Sequence, residues 1–96
     1  IWVASVIVSD SNVYVCGALG NNSAVWVLDL EGNILNTYQY PPKETQAQAY
    51  SLAVWNNMLY ISGFESSQDD LNIPFLLITD LQGRIIRFQI FNQFIT

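Results

Sequence analysis

Apolar residues fall into eight short clusters along the chain, at residues 5–9, 13–18, 24–30, 34–40, 51–55, 58–64, 75–79 and 85–91. Each cluster is too short for an isolated helix, and none keeps the i, i+3, i+4 spacing of a helical face. Val, Ile, Tyr, Phe and Trp dominate, the residues that fit a pleated surface, and brief polar breaks separate one cluster from the next. The pattern predicts eight strands and an all-β chain.

The breaks carry their own chemistry. "DLEG" at 29–32 and "TDLQG" at 79–83 place an aspartate at the start of a tight hairpin and a glycine near its end. Asp29 and Asp80 are expected to accept N–H groups of their own turns, with Gly32 and Gly83 taking a positive φ. Asn56 and Asn57 form an expected two-residue hairpin tip, since asparagine tolerates positive φ. Gly17 and Gly63 are expected to free the backbone where their strands end. Pro41 and Pro42 open a polar link, "PPKETQAQ".

The chain repeats itself. "SVIVSDSNVYVCG" (5–17) lies without a gap over "SLAVWNNMLYISG" (51–63), matching Ser5 with Ser51, Val8 with Val54, Tyr14 with Tyr60 and Gly17 with Gly63. Further on, "VWVLDLEGNIL" (25–35) lies over "LLITDLQGRII" (76–86), five residues further displaced, and matches Asp29 with Asp80 and Gly32 with Gly83. The added five residues fall in the polar stretch 65–74, "ESSQDDLNIP", which reads as a loop. Two units result, residues 1–45 and 46–96, each with four strands.

A sheet with one wet face alternates apolar and polar positions. Here "VYVC", "AVWVL" and "FLLIT" are apolar at consecutive positions, so both sides of these strands call for cover. The fourth strands, "ILNTYQY" and "IIRFQIF", mix in Asn36, Gln39, Arg87 and Gln89, as outer strands do. Two sheets alone cover one face each, and stacking four-stranded sheets into a ring covers the rest. On these residues the chain resembles the blade repeats of secreted, quinoprotein-like β-propellers. Their pattern runs apolar-Tyr-apolar-x-Gly, then a strand ending Leu-Asp-x-x-Gly, then a strand with an aromatic. Asn36 and Arg87 stand where that family usually has tryptophan. The resemblance implies two four-stranded antiparallel β-propeller blades, 1–45 and 46–96, part of a larger or oligomeric propeller. The alternative fold is an eight-stranded β-sandwich within one chain.

Composition narrows the chemistry. The chain of 96 residues is 51% hydrophobic and only 11% charged, with net charge −5, three basic residues and no histidine. Phosphate backbones and anionic membrane surfaces need clustered Lys and Arg, so nucleic acid is excluded as an expected partner. No apolar run reaches the roughly 18 residues of a membrane span, and no membrane insertion is expected. The chain opens directly on "IWVASVIV" without a basic-then-apolar leader, which reads as a processed mature chain or an excised piece. Low charge with abundant Asn, Gln, Ser and Thr points to an extracellular or cell-surface setting.

Few residues invite a functional reading. Cys16 sits in an apolar run with no histidine to activate it, and reads as packing. Asp29 and Asp80 read as turn caps, because repeat-related positions do not converge. The non-repeated loop carries Glu65, Gln68, Asp69 and Asp70, oxygen donors without the spacing of a calcium loop. Insertions on a rigid scaffold carry recognition, so these four are candidate ligand contacts. Trp55, beside the Asn56–Asn57 tip, is a further candidate, as a platform for sugar rings together with Tyr50. Trp2 and Trp26 read as core. "Asn21-Asn22-Ser23" matches a glycosylation acceptor at Asn21. The expected function is a non-enzymatic binding or structural module, without cofactor, whose partners are further blades or copies of itself, and glycans in a lectin alternative. A second alternative is a fragment of a quinone-dependent dehydrogenase.

Overall fold

The structure is a computed structural model and describes residues 1–68 and 72–91. Its eight strands are β1 (Trp2–Ser9), β2 (Asn12–Leu19), β3 (Asn22–Leu28), β4 (Ile34–Tyr40), β5 (Gln46–Trp55), β6 (Met58–Ser66), β7 (Asn72–Asp80) and β8 (Ile85–Ile90). They form two four-stranded antiparallel sheets in chain order, β1-β2-β3-β4 and β5-β6-β7-β8, and no strand crosses from one sheet to the other. No helix occurs among the described residues. The polar-mixed strands β4 and β8 are edges, as their composition predicts.

The sequence repeat is a repeat of detail as well as of strands. β1 bulges between Val3 and Ser5 against β2, and β5 bulges between Ala49 and Ser51 against β6. A second irregularity, Val27/Leu28 in the first sheet, recurs as Ile78/Thr79 in the second. The two aspartate turns superpose bond for bond. Asp29 Oδ1 accepts from Glu31 N at 3.0 Å and Asn33 N at 2.8 Å, while Asp80 Oδ1 accepts from Gln82 N and Arg84 N, both at 2.9 Å. Gly32 and Gly83 sit at φ 91° and 84°, and Asn56 and Asn57 at 53° and 60°, as the turn chemistry requires.

Gly17 and Gly63 have a different reason from the one expected. Both lie inside their strands at ordinary φ, opposite the bulges. A Cβ on Gly17 would strike the carbonyl of Trp2, and one on Gly63 the carbonyl of Gln48. The bulge pushes the neighbouring backbone inward, and only glycine leaves room for it.

Several strands, β5, β6 and β7 among them, run further than composition predicts. β5 begins at Gln46, so "QAQAY" belongs to the sheet and the link between the sheets shrinks to residues 41–45. The five-residue insertion does not form one long loop: it lengthens the β6–β7 hairpin, with Glu65 opposite Ile73 and Ser66 opposite Asn72. Backbone pairing holds the polar residues of these segments in the ladder, and Ala47, Ala49 and Ile73 are buried besides.

The sheets stack face to face. Tyr14, Cys16, Val25 and Val27 meet Leu52, Leu59, Ile61, Phe75 and Leu77 in one core, each side chain contributing roughly 1.5–3 kcal/mol if large and fully buried. β5 crosses β1, β2 and β3 closely, and the sheets part towards β8. Tyr40 bridges that wider side, its hydroxyl donating to Gly83 O at 2.8 Å, and the Tyr38 ring lies against the Gly83 backbone. The apolar runs are not covered equally. β3 is buried at Ser23–Val27 on both faces, whereas β7 alternates, with Phe75, Leu77 and Thr79 buried but Leu76 and Ile78 half-exposed.

Candidate functional site

Two places combine polar groups with a concavity. The first is a cavity of about 120 Å³ at the wide side of the inter-sheet cleft, between Ser23, Tyr40, Leu77 and Phe88. Its floor is Glu65, which is 1% exposed. Glu65 Oε1 accepts from Lys43 N at 3.0 Å and Glu44 N at 2.9 Å. The carboxylate therefore pins the 41–45 link onto the second sheet, and Lys43 Nζ then lies 5.3 Å from the centroid of the Phe88 ring. Ligand pockets begin at roughly 300 Å³, so the cavity is too small for a sugar or an organic cofactor.

The second is an open depression of about 280 Å³ formed by Lys43, Glu44, Thr45, Ser67 and Gln68. It sits just above the pinned link, where Thr45 Oγ1 donates to Ser66 O at 2.6 Å. The candidate Gln68 stands on its rim, exposed. Glu65 is directed below it into the clamp, and Asp69 and Asp70 lie outside the described residues. The structure thus separates Glu65 from Gln68 in role: one carries backbone hydrogen bonds, the other faces solvent.

Aromatic residues make a third feature. Trp55 is 67% exposed, beside the β5–β6 tip. Elsewhere Trp2, Tyr50 and Phe64 form an edge-to-face ladder around the β5 edge, with centroids 4.9 Å and 5.4 Å apart. Trp2, expected in the core, is among the exposed large side chains, while Trp26 is buried as expected. The β1 bulge turns the first residues of the strand towards the neighbouring sheet's edge, which sequence spacing does not reveal. Asn21 is exposed on the β2–β3 turn, and its carbonyl accepts from Ala47 N at 2.9 Å.

The reactive groups are quiet. Burial pushes the Cys16 thiol up to about 11, against a weaker opposing hydrogen bond with the Ser5 backbone, so it stays protonated at neutral pH. Asp29 and Asp80 occupy separate hairpins, and each spends its oxygens on its own turn. Asn33, through side chain and backbone, holds Asp29 below the usual carboxylate range, and the Arg84 backbone N–H does so first for Asp80. Among the described residues no three His, Cys, Asp or Glu side chains gather closely enough to hold a metal ion.

Comparison of the chain with protein-family models, curated proteins and solved structures finds no match. The functional reading therefore rests on the repeat and its geometry.

Sequence reasoning missed the Glu65 clamp, yet a signal was present. Glu65 shares strand parity with Leu59, Ile61 and Gly63, so in an unbroken strand it points into the core. A carboxylate at an inward position needs hydrogen-bond donors, and the link supplies them.

Proposed function

We propose that this chain is a pair of β-propeller blades, a non-enzymatic binding or structural module that closes with further blades and works at the cell surface or in secretion. The observation that carries this reading is the sense of the stack. The first sheet offers Tyr14, Cys16, Val25 and Val27 to the second, but the second answers with Leu52, Leu59, Ile61 and Leu77. In the repeat these are not counterparts: Leu52, Leu59, Ile61 and Leu77 match Val6, Val13, Val15 and Trp26. The two units therefore stack front to back, like successive blades, rather than front to front as in a two-fold sandwich. The splay of the sheets away from β5 adds the wedge that a ring requires. Low charge and an exposed acceptor at Asn21 support the extracellular setting.

A tandem gene joining three copies of the chain tests the reading. Negative-stain microscopy is expected to reveal a closed ring around a central channel, and an open rod or separate two-sheet beads would overturn it.

The Trp2–Tyr50–Phe64 ladder and exposed Trp55 favour one second reading, a propeller lectin, because aromatic faces stack on sugar rings. A glycan array probed with the native species should then return hits that Trp55→Ala or Tyr50→Ala removes; no hits removes this reading.

A further inference from the structure

The outer face of the first sheet is bare along its edge strands, β1 and β4, on either side of the buried Trp26. Val6, Val8 and Ile34 are 58%, 65% and 63% exposed there, around a groove of about 260 Å³ floored by Val15, Trp26 and Leu28. We propose that this face docks the second sheet of another copy of the chain, head to tail, and that the copies close into a ring. The proposal rests on the blade reading above.

Each half of the missing junction is already written in the chain. The bare face carries Val6, Val8, Val15 and Ile34; the counterparts of the first three, Leu52, Val54 and Ile61, lie on the face that the second sheet turns to the first, and that of Ile34, the largely exposed Ile85, lines the cleft cavity between the two sheets. The opposite bare face, on the second sheet, carries Ala53, Tyr60, Ser62, Leu76 and Ile78. Their counterparts are Ile7, Tyr14, Cys16, Val25 and Val27, the face that the first sheet turns to the second. The two uncovered faces are thus related as the two mated faces are, and a second copy brings them together by the same operation. Such a heterologous contact repeats until the rotation closes.

Two details fit this occupant. Gly83 is covered by the Tyr38 ring, while a Cβ on Gly32 would meet nothing within 4 Å: the turn that a preceding copy would cover stands open. Charge is matched too. Arg87 holds the place of Asn36 on the second sheet and makes a hydrogen bond to Gln89. The turn it would approach in the next copy carries Asp29 and Glu31, where the internal junction has Asp80, Gln82 and Arg84. The bare face of the first sheet carries no charged side chain that would oppose burial.

Light scattering on the purified chain tests the proposal. Three copies, six blades, are expected, at three times the 10.9 kDa chain mass. The double variant Val6→Asp/Val8→Asp breaks one face and Ala53→Asp/Ser62→Asp the other, all four at exposed positions. Each variant alone is expected to be a folded monomer by circular dichroism, and an equal mixture a dimer, since one intact junction remains between the two. A monomeric wild type, a ring that survives either double variant, or a mixture that stays monomeric overturns the proposal. An Ala53→Asp/Ser62→Asp variant that still dimerises by itself also overturns it, because the contact is then two-fold rather than head to tail. A monomeric wild type beside a closed three-copy tandem sinks the docking of free copies and leaves the blade reading standing; an open tandem sinks the blade reading itself.

Discussion

Gly63→Ala probes the close approach that builds each sheet around its bulge. The added methyl would sit 2.9 Å from Ala49 Cα and from the Gln48 carbonyl carbon, and nearer still to the carbonyl oxygen. Carbon atoms in contact settle at about 3.5–4.0 Å, and the nearer carbonyl oxygen sets the larger demand, so β5 must retreat from β6 by more than about an ångström. Nothing flexible can absorb that shift, since all three neighbours are backbone. Overpacking of this kind costs about 1–3 kcal/mol. Loss of one or two ladder hydrogen bonds beside the bulge adds about 0.5–1.5 kcal/mol each. The expected destabilisation is about 2–5 kcal/mol, a large share of the roughly 5–15 kcal/mol of a small domain. Urea unfolding followed by circular dichroism measures it, with Gly20→Ala as the control. Gly20 has φ 63° but open space around it, so only the backbone term remains, about 1–2 kcal/mol. If Gly63→Ala unfolds at the same urea concentration as Gly20→Ala or the wild type, the reasoning about the bulge is wrong.

Three further outcomes are expected. Glu65→Ala strands the Lys43 and Glu44 N–H groups and releases the link, costing about 2–4 kcal/mol, while Glu65→Gln keeps an acceptor and costs less; chemical denaturation ranks the two, and an equal cost contradicts the clamp. Asp29 and Asp80 are held below 3.8 in the folded chain, so the stability they add is complete above that pH and is lost as the pH falls through their folded values. Acid titration of the Asp29→Asn/Asp80→Asn variant should therefore give a flatter stability curve below pH 4 than wild type, and an unchanged curve refutes the assignment. Cys16, buried and raised to about 11, should resist iodoacetamide at neutral pH until denaturant is added, which mass spectrometry of the alkylated chain reads directly.

Local chemistry was legible wherever one turn or one strand decides it. Asp29 and Asp80 cap their turns with partners two and four residues away, and Asn56 and Asn57 take positive φ because their hairpin allows nothing else. Those interactions close within a few residues, so residue type and spacing suffice. Glu65 was harder, because its role depends on donors some 21 residues back, brought over by the link. Gly63 was harder still: its neighbour is the Gln48 carbonyl, displaced by a bulge that no residue in the strand announces. Gln46–Gln48 read as the end of the polar link "PPKETQAQ", yet strand pairing draws on backbone groups that every residue carries, and Ala47 and Ala49 are buried in the core.

The sequence by itself determined that this is an all-β chain of two equivalent units, since strand periodicity and the offset repeat depend on residue order alone. It also determined that two sheets would leave apolar faces uncovered. Only the tertiary structure decided which faces mate. Front-to-back stacking places Leu52 and Ile61 over Tyr14 and Cys16 and leaves Val6, Val8 and Ile34 bare, because side-chain volume and the bulged backbone fit that way in three dimensions. Apolar pattern is the same on both sides of these strands, and packing geometry breaks the tie.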